Sequence, residues 1–567
     1  VIVNNLSRAA NYGVGTYLNQ LESCLSSVTD LQISMIDMDA DAKEYSSMED
    51  ESGYTHYLVP REYGSVNYNV FFRNAFYYLA QQIKYEDGDI IIFHFNFFQY
   101  YQLAIRLKAY IPSCKIIMAI HYLSWCFTIN GNITKFRHYL EDGFDAKEYE
   151  RSNSKDAYDE EVKKEQNLYN DVMESYNNEC RFLQLADSVI VLSNRTSNIV
   201  ESDYHIARDK ITVIHNGLED TCEPSALLKE CRDNSTNKEK NILYVGRLDN
   251  IKGVHYLIKA FKKLYEEDHS LHLYLVGDGD FSGHLSEAKG IWDAITITGK
   301  IDKNDTELFY KKATVGVLPS FHEQCSYSAI EMMMHGVPFV GTDSTGLGEM
   351  LVCTPENIVH IDEVSFDTDV FVEELSNKIR HLLEDCKYRT ECSKLVRQEY
   401  LKMFSLDMMK TGYCQLLDSL RSSQTVLSED MLQTIDKKMF YLINSRPEID
   451  LNFFGMTGIG YYLWRRIVLL YGDNRKEMVS RCLLMQEYFI YYLDWVYEEV
   501  CSLTEDERTM LDLRKLYFLM SELQSKGFYK MCVQKIINML DIDYWKKEEV
   551  LTIDIYSNAL RIFNYDA

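Results

Sequence analysis

Short, nearly unbroken apolar runs alternating with amphipathic stretches limit the folds open to this chain. Ile90-Ile91-Ile92-Phe93, Lys115-Ile116-Ile117-Met118-Ala119-Ile120 and Ser188-Val189-Ile190-Val191-Leu192 are such runs. Runs this short suit central strands of a parallel sheet covered on both faces. Helical patterns lie between them, for example over residues 71–83 and 99–109. The alternation predicts an α/β, Rossmann-like, doubly wound domain over residues 1–216.

The same rhythm returns after a polar stretch at residues 221–240. Asn241-Ile242-Leu243-Tyr244-Val245 opens it, and Leu271 to Val276, Ile295-Thr296-Ile297, Val315-Gly316-Val317-Leu318 and Pro338-Phe339-Val340 follow. A second Rossmann-like domain is expected over residues 217–424, its last helix crossing back to the first domain. Beyond that the strand signal thins. Leu427, Met431, Ile435, Met439 and Leu442 recur at three- and four-residue steps, as on one helix face. Residues 425–567 are expected to form an all-helical accessory domain. A chain of 567 residues accommodates three domains of ordinary size.

A formal net charge of −27 makes nucleic acid and anionic lipid poor partners. No apolar run approaches the ~18 residues of a membrane span. The 14 cysteines form no CxxC pair, which disfavours a structural zinc. Scattered cysteines are mostly small buried hydrophobes, and a reducing cytoplasmic location is expected. Abundant Tyr, Lys, Ile and Asn with only 7 prolines suggest an AT-rich bacterial source. Residues 141–180 carry 13 acids and 5 bases. They read either as a solvated helical face or as a mobile element near an acceptor site.

Two segments carry chemistry. In Val245-Gly246-Arg247-Leu248-Asp249-Asn250-Ile251-Lys252-Gly253, a loop joins a strand to a helix, where open α/β sheets bind ligands. Gly246 permits close backbone approach. Arg247 and Lys252 beside a helix N-terminus suit a diphosphate, although a solvated surface loop would also carry two bases. The spacing is neither GxGxxG nor the Walker lysine pattern. Downstream, Glu323 and Glu331 flank seven residues. Glu323 is expected in the loop after strand Val315–Leu318 and Glu331 one to two turns into the next helix. Both then face the crevice, where carboxylates accept from sugar hydroxyls. The N–H groups of Gln324, Cys325 and Ser326 at the helix start can bind further oxygens. Two ordinary surface glutamates are the alternative.

The segments together resemble the glycosyltransferase family 4 signature on the GT-B fold, over about residues 1–420. "ILYVGRLDNIKGVHYLIKAFKKL" resembles the family's Gly-Arg loop, Lys-Gly and helix, and "LYLVGDGD" its next strand with Gly277 and Gly279. "ITITGKI" resembles the nucleobase turn, near Lys300 and Ile301. "LPSFHEQCSYSAIEMMMHGVPFVGTDSTGLGEML" resembles the two-glutamate motif and its following loop. "NYGVGTYLNQL" resembles the first glycine-rich loop, and "AIHYLSW" a strand ending in His121.

The resemblance implies a retaining, metal-independent hexosyltransferase using a nucleoside diphosphate sugar as co-substrate, with no cofactor. Arg247 and Lys252 would hold the diphosphate, and Glu331 the ribose. Glu323 with the 324–326 backbone would hold the sugar. His121 would touch sugar or acceptor. Gly13 and Gly15 would let the first domain close on the phosphates. His94 is a secondary candidate, with a structural histidine as the alternative. Ser326, Val14 and Tyr122 depart from the family pattern and leave donor identity open. The acceptor is expected to be a glycan, peptide or protein. Residues 425–567 offer a possible protein-docking surface around Gly455, Gly458 and Gly460, with close helix packing as the alternative. A nucleotide-sugar epimerase and a non-catalytic scaffold are the competing functions. A phosphorylase would need a pyridoxal-lysine site, for which the sequence gives no signal.

Overall fold

The computed structural model describes residues 1–6, 13–28, 30–61, 68–84, 89–111, 114–144, 159–222, 240–279, 286–422, 429–446, 456–471, 476–503, 514–525 and 529–540. The polar stretch 223–239 and the glycine at 455 therefore lie outside the described residues, as does most of the acidic segment before Asp159. The chain forms two compact units. The first comprises Val1–Val66, Phe93–Tyr101 and Ile116–Leu420, and the second Asn67–Ile92, Gln102–Lys115 and Arg421–Ala567.

The first unit is built on two sheets. Strands β1 (Ile2–Asn5), β2 (Ser34–Ala40), β3 (Ser46–Glu49), β4 (Thr55–Pro60), β5 (Ile92–Phe95), β6 (Lys115–Ile120), β7 (Ser188–Val191) and β8 (Ile211–Val213) are ordered β3-β4-β2-β1-β5-β6-β7-β8. β1 pairs in parallel with β2 and β5, and β7 with β6 and β8. The β3/β4 hairpin pairs antiparallel. β9 (Lys240–Val245), β10 (Leu271–Val276), β11 (Ile295–Gly299), β12 (Val315–Leu318), β13 (Phe339–Thr342) and β14 (Ile358–Val359) form the second sheet, ordered β11-β10-β9-β12-β13-β14. Its pairings are parallel throughout.

The expected apolar runs form strands, though the first is shifted: Ile92–Phe95 rather than residues 90–93. β7 and β12 are buried at every position, as strands covered on both faces must be. In the second sheet the order reverses between β9 and β12. The carboxyl ends of those two strands consequently bound an open crevice. The helix Leu406–Ser422 packs against elements from the chain's start: Tyr413 is hydrogen-bonded to Tyr17, and Cys24 Sγ lies 3.9 Å from Leu406 O.

β2 had no counterpart in the sequence reading because Asp37 and Asp39 interrupt its apolar run. Asp37 is nevertheless buried, accepting from Asn4 Nδ2 at 3.3 Å and lying 2.6 Å from His56 Nδ1. The acidic segment ends in a 27-residue helix, Asp159–Leu185. Most of its charges are exposed, but Glu179 is buried.

The second unit takes in helices Tyr68–Gln82, Glu429–Ser445, Met456–Tyr471, Lys476–Ser502, Arg514–Ser525 and Lys530–Met539. Trp464, Trp495, Tyr462, Tyr492, Phe489 and Leu519 lie in its core. Gly458 and Gly460 fall in the opening turns of Met456–Tyr471. A Cβ at Gly460 would lie 2.2 Å from the Tyr492 hydroxyl, so close packing accounts for that glycine. Arg466 and Asp436, both nearly inaccessible, form a buried ion pair at 3.1 Å, and Tyr462 donates to the same carboxylate. Burying two charges is tolerable only with such added hydrogen bonds.

Candidate active site

The crevice at β9 and β12 opens into a cavity of about 820 Å³ within the first unit. Its wall is built from loops that follow strands. After β9 come Gly246, Arg247, Ile251 and Lys252; after β10, Gly277 and Asp278; after β11, Lys300 and Ile301. After β12 come Ser320 and the run from His322 to Ser328. The lining also includes Gly13, Val14, Phe97, Phe98, His121, Tyr122, Ser124 and Asn216.

Close backbone contacts hold these loops together. Gly246 N donates to Val276 O at 2.9 Å, Leu248 N to Asp278 O at 3.0 Å, and Gly277 N to Gly299 O at 3.2 Å. Gly277 has φ +144°, and a Cβ there would lie 1.9 Å from Gly246 O. Glycine is required both by conformation and by space. Gly253 is left-handed at φ +67°, and its Cβ would fall 2.1 Å from Pro319 O. That contact brings the β9 loop against the β12 loop, and Phe321 N donates to Ile251 O at 2.8 Å across the same seam.

The seam brings Lys252 Nζ to 2.5 Å from Glu323 Oε1, with Ser320 Oγ 3.2 Å from the same oxygen. Both charged side chains are mostly buried, at 17% and 14% exposure, so the pair is shielded from solvent screening. Arg247 is more open and pairs with Asp249 at 2.7 Å. Its carbonyl accepts from Tyr244 Oη at 2.5 Å, which fixes the loop. The N–H groups of Gln324, Cys325 and Ser326 make no hydrogen bond among the described residues and precede the helix Tyr327–Met334. Ser326 caps that helix, accepting from Ala329 N at 3.4 Å.

Of the residues singled out from sequence, Gly13, His121, Gly246, Arg247, Lys252, Gly277, Lys300, Ile301, Glu323, Gln324, Cys325 and Ser326 line one cavity. Gly15, Glu331 and His94 do not. Glu331 lies four residues beyond the lining Tyr327 on the same helix, and Tyr310 donates to its carboxylate at 2.6 Å. His94 is buried, with Nε2 3.3 Å from Tyr17 Oη and 3.1 Å from Tyr413 Oη, as a structural histidine would be. His121 Nε2 is 3.0 Å from Asn96 Oδ1, and its ring meets Tyr17 edge-on at 4.4 Å. Burial lowers its pKa to about 3, so it presents a neutral imidazole at neutral pH. Asn216, His322 and Tyr327 also line the cavity, and the sequence reading assigned them no role. Only their burial, which follows from the fold, distinguishes them from surface polar residues.

Glu179 supports the His121 wall from behind. It accepts from the N–H of lining Ser124 at 2.5 Å and from Tyr204 Oη at 2.5 Å. Burial raises its carboxyl to about 7. A raised carboxylate pKa favours the fold most below the unfolded value, near 4.5, and that contribution is lost as pH rises through 7. Urea unfolding of Glu179→Gln should therefore show the variant gaining on the wild type by about 3 kcal/mol between pH 4.5 and 8. A pH-independent difference would assign Glu179 an ordinary carboxyl.

Residues 13–221 match the family described as Glycosyltransferase Family 4, and residues 239–385 the family described as Glycosyl transferases group 1. Together the matches cover more than half of the chain, in the order of the two sheets. The chain belongs to the family 4 glycosyltransferases. An uncharacterized glycosyltransferase of Methanocaldococcus jannaschii is 32% identical over 172 residues, 29% of this chain and 44% of that protein. Glycogen synthase of Mycobacterium tuberculosis is 25% identical over 241 residues, 41% of this chain and 54% of that protein. The chain spans about half the length of the curated relatives it matches.

The fold is shared with solved glycosyltransferases. Sucrose-phosphate synthase of Thermosynechococcus elongatus aligns with a TM-score of 0.54 at 18% identity, over 75% of this chain and 99% of that one. Anabaena HepE, solved in complex with UDP and glucose, aligns with a TM-score of 0.50 at 15% identity, over 74% and 99%. The architecture is GT-B. Among the described residues no helix is long and apolar enough to cross a membrane.

Proposed function

We propose that this chain transfers a hexosyl unit from a nucleoside diphosphate sugar to a hydroxyl-bearing acceptor on a glycan, peptide or protein, with retention of anomeric configuration. The observation that carries the reading is the seam between the β9 and β12 loops. It places Lys252 and Glu323 in contact, and with Arg247 and residues 324–326, whose N–H groups are unbonded among the described residues, they line one cavity. Lys252 and Arg247 meet the diphosphate, and they stabilise the charge that develops on it as the glycosidic bond breaks. Glu323 and the 324–326 backbone hold the sugar. The ribose is assigned to Glu331, which sits one helical turn beyond the lining Tyr327 and outside the cavity wall as it stands. His121, neutral and anchored to Asn96, presents a hydrogen-bonding ring to the sugar or acceptor. The decisive experiment incubates the protein with UDP-glucose, UDP-galactose, UDP-N-acetylglucosamine and GDP-mannose and measures release of free nucleotide. Release from none of them, with no nucleotide binding by calorimetry, would refute the reading.

Two side-chain cations and a run of N–H groups supply the charge complement a diphosphate needs. Nucleotide release is therefore expected to persist undiminished in EDTA. Loss of activity on chelation, restored by magnesium or manganese, would show that the cations do not suffice.

A further inference from the structure

Four side chains lining the cavity carry buried polar atoms with no hydrogen-bond partner: Asn216 Oδ1, His322 Nε2, both amide atoms of Gln324, and Tyr327 Oη. Unpaired buried polar atoms are costly, and these four side chains belong to residues of one cavity wall, where a ligand or ordered water can complete their bonding. Asn216 is anchored through Nδ2 to Cys325 O at 2.7 Å, and His322 through Nδ1 to Thr345 Oγ1 at 3.0 Å. The Gln324 head group has no anchor, although the residue is only 4% exposed. Its backbone, in contrast, is tightly held. Gly346 N donates to the Glu323 carbonyl at 2.5 Å, and a Cβ on Gly346 would lie 1.6 Å from Gln324 O. The residue is fixed in place next to Glu323 with a donor and an acceptor unused.

We propose that Gln324 is the specificity-determining residue for the donor sugar, its carboxamide donating to one ring hydroxyl and accepting from the adjacent one. The inference rests on the reading of Glu323 as the sugar-binding carboxylate. A carboxamide offers two N–H donors and an acceptor oxygen on neighbouring atoms, which match two adjacent hydroxyls. It carries no charge and gives no preference for phosphate. The ligand class is a neutral hexose with an adjacent hydroxyl pair.

The test uses the full chain and acceptor-free hydrolysis, so that the acceptor plays no part. The best donor of the four-member panel is compared with its monodeoxy analogues. In the wild type, removing one of two adjacent hydroxyls should lower kcat/KM roughly 10- to 100-fold, because it leaves part of the buried amide unpaired. In Gln324→Met the parent donor should fall by a similar factor, and parent and deoxy donors should become equal within about threefold. Affinity for the bare nucleoside diphosphate should be unchanged, which also reports that the variant is folded. Gln324→Glu, nearly isosteric, keeps the acceptor and loses the donor, so it should lose discrimination at one hydroxyl only. Full wild-type discrimination in both variants, with nucleotide binding retained, would overturn the proposal and leave the donor-site reading standing. Absence of nucleotide binding in the wild type would remove that reading, and the proposal with it.

Discussion

Lys252→Ala is expected to weaken binding of a nucleoside diphosphate by 10- to 150-fold and to lower turnover of its sugar conjugate further still. A charge-assisted hydrogen bond to phosphate contributes about 1.5–3 kcal/mol, which sets the binding factor. The larger loss in turnover has a second source. Lys252 is the cation 2.5 Å from Glu323, and removing it leaves a mostly buried carboxylate with Ser320 as its remaining partner. An uncompensated charge then faces the incoming diphosphate. Arg247→Ala should fall within the same binding range but toward its lower end, because Arg247 is more exposed and its pairing with Asp249 is better screened. Calorimetry with UDP and GDP checks both. Unchanged affinity in Lys252→Ala would remove the diphosphate from this cavity.

The two glutamates should separate by what each touches. Glu323→Ala is expected to leave affinity for the bare nucleotide within a few-fold and to lower kcat by about 100-fold or more, as losing one positioned electrostatic group does. Glu331→Ala is expected to weaken the bare nucleotide by roughly 10-fold, the magnitude of one hydrogen bond to a charged group. Tyr310→Phe provides a control: it removes the hydroxyl that holds the Glu331 carboxylate and should reproduce a fraction of the Glu331→Ala loss. Measuring nucleotide affinity and single-turnover rates on the same three variants separates the roles. A Glu323 variant that lost nucleotide affinity while keeping turnover would exchange the assignments.

Much of this site could be read from sequence because its residues sit at positions that topology makes special. Arg247 and Lys252 follow a strand and precede a helix, and Glu323 follows the neighbouring strand, so an open sheet brings them to one crevice. Their pairing was not legible. It depends on Gly253 letting the β9 loop reach Pro319, a contact between loops that no local pattern encodes. Gln324 was legible only through its backbone, since an amide head group gains meaning once it is known to be buried and unpaired. His94 shows the reverse case. A histidine at a strand end looks available, but Tyr17 and Tyr413, 396 residues apart, enclose it. β2 escaped notice because Asp37 is buried against His56, and charge inside a strand obscures the apolar alternation.

The contact between Lys252 and Glu323 has a bearing on which molecules can use this cavity. A diphosphate beside Lys252 would compete with Glu323 for the three N–H donors of one ammonium group. A hexose arriving by itself finds Glu323 already engaged and offers nothing that Lys252 would prefer. Under the proposed function, a hexose carried on a diphosphate brings a group that competes for Lys252, and its own hydroxyls offer the carboxylate new donors. Under the proposed function, the resting ion pair favours a sugar that arrives on a diphosphate over one that arrives alone, before any sugar hydroxyl is recognised.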